Sequence, residues 1–358
     1  MSVIQKPINE QVIVITGATS GIGLVTTRMS ARMGARLTLV ARSEDALRKL
    51  VSEIRVTGGE AHFCVADVAD EGQLQKAADR TVSHYGYFDT WINNAGVSIY
   101  GNLEDVPHKD SRRLFDTNFW GVVNGSIIAA KYLRIRGGTI INIGSTLSDR
   151  AIPVQGMYCA SKHAVKGFTD ALRMELEADS VPVQVTLIKP SAIDTPYKDH
   201  AKNYLGVRPE NPPPVYAPET VAETILYCAS HPVRDAFVGA GGKAISVFGE
   251  YAPRITDLVM ETTMFDMQKT DIPLPQGHQD TLHQKGDASL KERGGYTGYV
   301  AESSIYTKAS LHPVVTGAAI VAGVGAGIGA FYLAGKGRTH TVDADSTSNE
   351  MKPSRKSV

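Results

Sequence analysis

A short apolar run, Val12–Thr16, leads straight into Gly17-Ala18-Thr19-Ser20-Gly21-Ile22-Gly23, and residues 22–33 then take up helical spacing and stop at Gly34. This strand–glycine–helix order constrains the fold more than any other feature. An apolar run without polar alternation reads as a parallel strand buried on both faces. Glycine permits backbone conformations and close approaches that a Cβ forbids. The helix behind it presents free amides and the positive end of its dipole, a natural seat for a phosphate.

The same grammar repeats along the chain. Strands are predicted at Arg36–Ala41, 61–65, 88–93, 139–143 and 183–188. Helices are predicted at 44–57, 73–85, 108–133 and 154–178. Strand–helix alternation of this kind gives a parallel sheet covered on both faces. Right-handed crossovers then make it a doubly wound, Rossmann-type α/β fold with flanking helices. Beyond Pro190 the pattern loosens. Asn211-Pro212-Pro213-Pro214 reads as a loop or lid tip, 218–229 as a helix, and 243–247, after the glycine-rich 239–242, as a last strand. Residues 258–268 read as a methionine-rich helix. The resulting division is a catalytic domain over 1–268, a Gly-, Pro- and polar-rich linker over 269–312, an apolar segment over 313–335 and a polar tail over 336–358.

Bulk composition excludes several classes. Acidic and basic residues balance, with 37 of each, so no charge excess points to a nucleic-acid partner. Cys64, Cys159 and Cys228 are scattered, fit no metal spacing and form no disulfide framework. A reducing compartment and no metal follow. The first ten residues are too short and polar for a secretory signal.

The glycine turn, Gly17 to Gly23 with Thr19, Ser20 and Ile22, is the predicted pyrophosphate site. The end of the second strand selects the cofactor. An acid there would bond the ribose hydroxyls of NAD. This chain has Arg42, whose guanidinium can pair with a 2′-phosphate, so NADP(H) is predicted over NAD. Asp67 and Val68 are placed near the adenine, and Asn94, Ala95 and Gly96 near the adenosine ribose. Tyr158 and Lys162 stand one helical turn apart and so share a face. A tyrosine is a weak acid–base near neutrality, and a nearby cation is expected to lower its pKa. Ser145 can hydrogen-bond a substrate oxygen, and Asn118 can hold a water that relays protons to Lys162. The chemistry predicted is hydride transfer to a carbonyl carbon with proton donation by Tyr158.

Taken together, Thr-Gly-x-x-x-Gly-x-Gly at 16–23, Asn-Asn-Ala-Gly at 93–96, Asn118, Ser145, Tyr-x-x-x-Lys at 158–162 and the run Pro190-Ser191-Ala192-Ile193-Asp194-Thr195 resemble the short-chain dehydrogenases/reductases, compact type, over roughly residues 8–250. The resemblance implies a seven-stranded Rossmann sheet, a Ser–Tyr–Lys triad assisted by Asn, and NAD(P)-dependent alcohol–carbonyl interconversion. It also implies that Lys162 bonds the nicotinamide ribose, that Ile193 and Thr195 contact the carboxamide after the turn at Pro190, and that helices 108–133 and 154–178 build a dimer or tetramer. Ser191 departs from the glycine that often follows this proline.

Residues 313–335 carry no charge. A membrane span, an interfacial segment and a glycine-rich tail packed on another subunit all fit that pattern, and the span, an anchor for a cytoplasmic catalytic domain, is preferred. The substrate class expected is a hydrophobic alcohol or carbonyl, lipid-, sterol- or retinoid-like. The competing readings are an NAD-dependent dehydrogenase of a small polyol or sugar, and a non-catalytic nucleotide-binding membrane scaffold.

Overall fold

The computed structural model of the chain describes residues 5–312 and Thr316. Seven strands form one parallel sheet: β1 (Val12–Thr16), β2 (Arg36–Ala41), β3 (Glu60–Val65), β4 (Thr90–Asn93), β5 (Gly138–Ile143), β6 (Val183–Pro190) and β7 (Asp235–Val238). Their spatial order is β7-β6-β5-β4-β1-β2-β3. Strand β1 pairs with β2 (Ile13 opposite Leu37) on one side and with β4 (Ile13 opposite Thr90) on the other. Chain direction across the sheet therefore reverses between β1 and β4, which opens a crevice at their carboxyl ends.

Side chains alternate across a strand, so each strand feeds two cores. Ile13, Ile15, Leu37 and Leu39 pack against helices α1 (Gly21–Arg32) and α2 (Glu44–Val56) through Leu24, Leu47 and Leu50. Val12, Val14, Val40 and Trp91 face the other way. There they meet α3 (Glu71–Tyr85), α5 (Gly121–Arg136) and α6 (Gly156–Ala178), following α4 (His108–Phe115) in the chain. The helix predicted over 108–133 is thus α4 and α5 joined by a π turn at Asp116–Trp120. Helix α7 (Pro218–Ser230) packs on α1 through the first core.

A buried polar chain locks the centre of the sheet to its helices. Asn93 Nδ2 donates to Asn142 Oδ1 at 2.8 Å and to Ser126 Oγ at 3.0 Å, and Asn142 Nδ2 donates to Thr169 Oγ1 at 3.0 Å. Each amide is satisfied, as burial demands. The effect is to fix the carboxyl ends of β4 and β5 against α5 and α6.

Two expectations are corrected. Residues 243–247 are not a strand but lie within helix α8 (Ala240–Tyr251), and β7 supplies the seventh strand. Short apolar runs fit either period, and only the pairing of β7 with β6 decides between them. The region 269–312 is not a linker. The described residues through Leu311 form one compact unit. Leu282 is fully buried among Val97, Ile99, Val106 and Leu114. Val300–Ala301 pairs with Val215–Tyr216, and Lys269–Pro273 with Val207–Pro209. The expected helix over 313–335 and the tail beyond it lie outside the described residues. Among the described residues, no helix is long and apolar enough to cross a membrane.

Candidate active site

The crevice begins at the glycine turn. Gly17 sits at φ +66° and Gly21 at φ +51°, conformations that disfavour side chains. Gly23 lies beneath the turn: a Cβ there would stand 2.1 Å from Gly17 O and 2.4 Å from Asn94 Nδ2. Thr16, the last residue of β1, and Asn94, just after β4, clamp the turn. Thr16 Oγ1 accepts from the amides of Asn94 and Ala95 at 3.0 and 3.2 Å, and Asn94 Nδ2 donates to Thr16 O and Gly17 O at 3.1 and 3.2 Å. The Asn94 side chain therefore holds the glycine turn rather than standing free for a ligand. Ser20 precedes α1 without capping it through its side chain, and the first amide of the helix, that of Gly21, donates to Lys291 O at 2.9 Å instead.

Gly17, Thr19, Ser20, Gly21, Ile22, Arg42, Asp67, Val68, Asn94, Ala95, Gly96 and Thr195 all line this cleft of about 200 Å³. Burial lowers the pKa of Arg42, with Asp67 opposing the shift. Arg42 Nη2 donates to Thr281 O at 2.7 Å. Asp67 is paired with Arg113 and accepts from Ala69 N at 3.0 Å, so its carboxylate is already engaged. The turn, the helix behind it and a cation at the end of β2 fit a dinucleotide carrying several negative charges.

Ser145, Tyr158 and Lys162 line a second pocket of about 210 Å³, with Pro190 and Ile193. Ser145 follows β5 by two residues and caps the short 3-10 turn Thr146–Ser148. Its Oγ accepts from Leu147 N at 3.0 Å, and its amide donates to Ser148 Oγ at 3.1 Å. This box fixes the oxygen and leaves its proton to donate. The Ser145 and Tyr197 hydroxyls act on the Tyr158 phenol, and the Tyr158 and Tyr197 rings meet edge to face at 5.5 Å. Lys162 Nζ donates to Ile143 O at 2.8 Å and lies 5.7 Å from the Tyr158 ring centroid.

Burial governs both titrations. It raises the Tyr158 pKa to about 12, against the pull of the two neighbouring hydroxyls. It lowers the Lys162 pKa to about 8. The expected lowering of the tyrosine is thus not seen in the protein alone: burial of the phenolate is the largest influence on Tyr158.

Asn118 stands apart from both pockets. Its Oδ1 accepts from Val97 N at 2.8 Å, and its Nδ2 donates to Val97 O at 2.9 Å and Ser161 Oγ at 3.2 Å. The side chain clamps the loop after β4 to α6. Sequence reading missed Tyr197, whose hydroxyl shares a hydrogen bond with Ser98 Oγ at 2.7 Å and donates to Gln155 Oε1 at 3.2 Å. It also missed the cleft wall formed by Thr281, Gly286, Asp287, Ser289, Leu290 and Lys291. No periodicity marks that wall. The Asn211–Pro214 loop does line the second pocket, beside Met264.

Comparison with known proteins settles the family. A model of the short chain dehydrogenases matches residues 11–204. The chain is a short-chain dehydrogenase/reductase. It is accordingly an oxidoreductase of CH–OH groups on a Rossmann sheet that binds NAD(P). It is 44% identical over 322 residues to the oxidoreductase YxnA of Bacillus subtilis, across 89% of this chain and 90% of that protein. It is 32% identical over 252 residues to dehydrogenase/reductase SDR family member 7B of Bos taurus, across 67% and 77%. An alcohol dehydrogenase from the archaeon Thermococcus sibiricus, solved with 5-hydroxy-NADP, superposes with a TM-score of 0.57 at 25% identity, covering 64% of this chain and 95% of that one.

Proposed function

We propose that this short-chain dehydrogenase/reductase is an NADP(H)-dependent enzyme that interconverts an apolar alcohol and its carbonyl. The observation that carries the reading is the junction of the two pockets. Ile22, Asn94, Gly96, Thr195 and Tyr197 belong to both. The second pocket is walled by Ile143, Leu147, Ile152, Ile193, Ile245 and Met264, and it places its hydroxyls, Ser145 and Tyr158, together. A few convergent polar groups in an apolar wall orient a mostly apolar ligand.

When bound, the nicotinamide supplies or accepts the hydride. Ser145 donates to the substrate oxygen. Tyr158, protonated across the physiological range, gives its proton to the developing alkoxide, and Lys162 supports the resulting phenolate while bonding the cofactor ribose. Arg42 holds the 2′-phosphate, an assignment supported by its place at the end of β2 and by the NADP analogue in the Thermococcus structure. Exposed Trp120, Ile127 and Met174 on and beside α5 and α6 suit a subunit face.

The test is a fluorescence titration of the full chain with NADPH and NADH, followed by turnover of apolar and small polar ketones. Arg42→Ala is expected to weaken NADPH about tenfold or more and NADH less than twofold. Tyr158→Phe is expected to lower kcat by about 10²–10⁴ while sparing NADPH binding. Equal losses of both nucleotides in the first variant, or retained turnover in the second, would refute the corresponding role. Preference for small polar ketones would refute the substrate class.

A further inference from the structure

The carboxyl-terminal part of the compact unit does more than pack. It crosses the cofactor crevice with both ends fastened and its middle over the cleft. At one end Leu282 is buried, Arg113 Nε donates to its carbonyl at 3.0 Å, and Thr281 N donates to His200 O at 2.9 Å. At the other end the amides of Gly294 and Tyr296 donate to one oxygen of the buried Asp194, at 3.1 and 3.0 Å. Arg293 pairs with Glu219 and Glu302, and Glu292 with Arg28. Between these anchors, Gly286, Asp287, Ser289, Leu290 and Lys291 line the cleft.

One bond in this bridge falls on the cofactor's own ground. Lys291 O accepts from Gly21 N at 2.9 Å. Gly21 opens α1, and its amide is one of the donors that a dinucleotide phosphate would take. Residue 290, immediately before that carbonyl, is a leucine at φ +49°. A branched side chain in the left-handed region is strained, so the seated bridge stores strain next to the bond it makes.

We propose that residues 283–291 are a latch over the cofactor site: Lys291 O holds the Gly21 amide in the free protein, a dinucleotide phosphate replaces it, and the latch then closes on the bound nucleotide. No bond to the substrate is involved. The segment lies outside the residues matched by the family model, whereas the alignment with YxnA extends over 89% of the chain. The inference rests on the cofactor site proposed above.

The experiment is stopped-flow NADPH binding and release on the full chain, native and Leu290→Pro. Proline cannot adopt φ +49°, so the substitution unseats the latch without touching Gly21 or Arg42. Association and dissociation are both expected to accelerate, by about tenfold. Glu292→Ala/Arg293→Ala, which cuts the outer anchors, is expected to accelerate dissociation several-fold and serves if the proline variant does not fold. Hydrogen exchange of peptides covering Gly21 and 283–291 should change on adding saturating NADPH. Native binding with unaltered rates in both variants and unaltered exchange overturns the latch alone. Absence of any NADPH or NADH signal from the native chain overturns the cofactor site and the latch with it.

Discussion

Lys162 carries its charge at a cost. Its ammonium is buried, with one hydrogen bond to Ile143 O at 2.8 Å, and burial brings its pKa down to about 8 from 10.5. The sign follows from proton counting. Below about 8 the folded and unfolded chains both hold the proton, and the full cost of burying the charge is present. Between about 8 and 10.5 the unfolded chain binds more protons than the folded one, so this residue's contribution to stability rises with pH. Above that range the cost is gone. At about 1.4 kcal/mol per pKa unit the penalty at neutral pH is roughly 3 kcal/mol, less about 1 for the lost carbonyl bond. Lys162→Met is therefore expected to stabilise the protein by about 2 kcal/mol at pH 7, with the gain fading towards pH 10. Urea midpoints at the two pH values check this. A variant less stable at pH 7 would mean that the charge is compensated by groups beyond Ile143. Such a cost is typical of a functional rather than a structural lysine. Tyr158 runs the same argument in reverse: its pKa near 12 makes it a proton donor until a cation is brought beside it.

The strand–turn–helix element from β1 to α1 is the part in which local sequence and tertiary contact agree most closely. Gly17 and Gly21 satisfy positive φ, while Gly23 satisfies space. These are different demands. Gly23→Ala would set a methyl against a backbone carbonyl and the Asn94 amide at once, and neither is the free end of a flexible chain. A loss of about 1–3 kcal/mol is expected, together with loss of nucleotide binding, because the clamp from Asn94 is what shapes the turn. Thermal denaturation and an NADPH titration of the variant measure the two effects. Undiminished binding would show that the turn can open by several tenths of an ångström without consequence. The motif Asn-Asn-Ala-Gly was legible as a functional run, but its role was not. Its Asn93 belongs to the core network and its Asn94 to the turn, distinctions that only the partners reveal.

At the scale of the whole molecule, the catalytic unit reaches to Leu311. Leu282 is the apolar anchor of its last region. Leu282→Ala is expected to destabilise the unit by about 2–5 kcal/mol, as for other buried leucines, with a single cooperative transition. A linker residue would show no such loss, so an unchanged urea midpoint would restore the linker reading. The sequence by itself determined six strands of the sheet, the glycine turn and the Tyr-x-x-x-Lys pair, because each rests on spacing within one or two turns of chain, where 3.6- and 2-residue periods are readable. Tertiary structure alone decided three things. Desolvation, which no local pattern records, set the direction of the Tyr158 shift. Strand pairing made 235–238 rather than 243–247 the seventh strand. The segment 283–291 was placed over the cleft by partners far away in the chain, including Gly21, Arg42 and Asp194. A polar, glycine-rich stretch has no period of its own, and its structure comes from the surface that receives it.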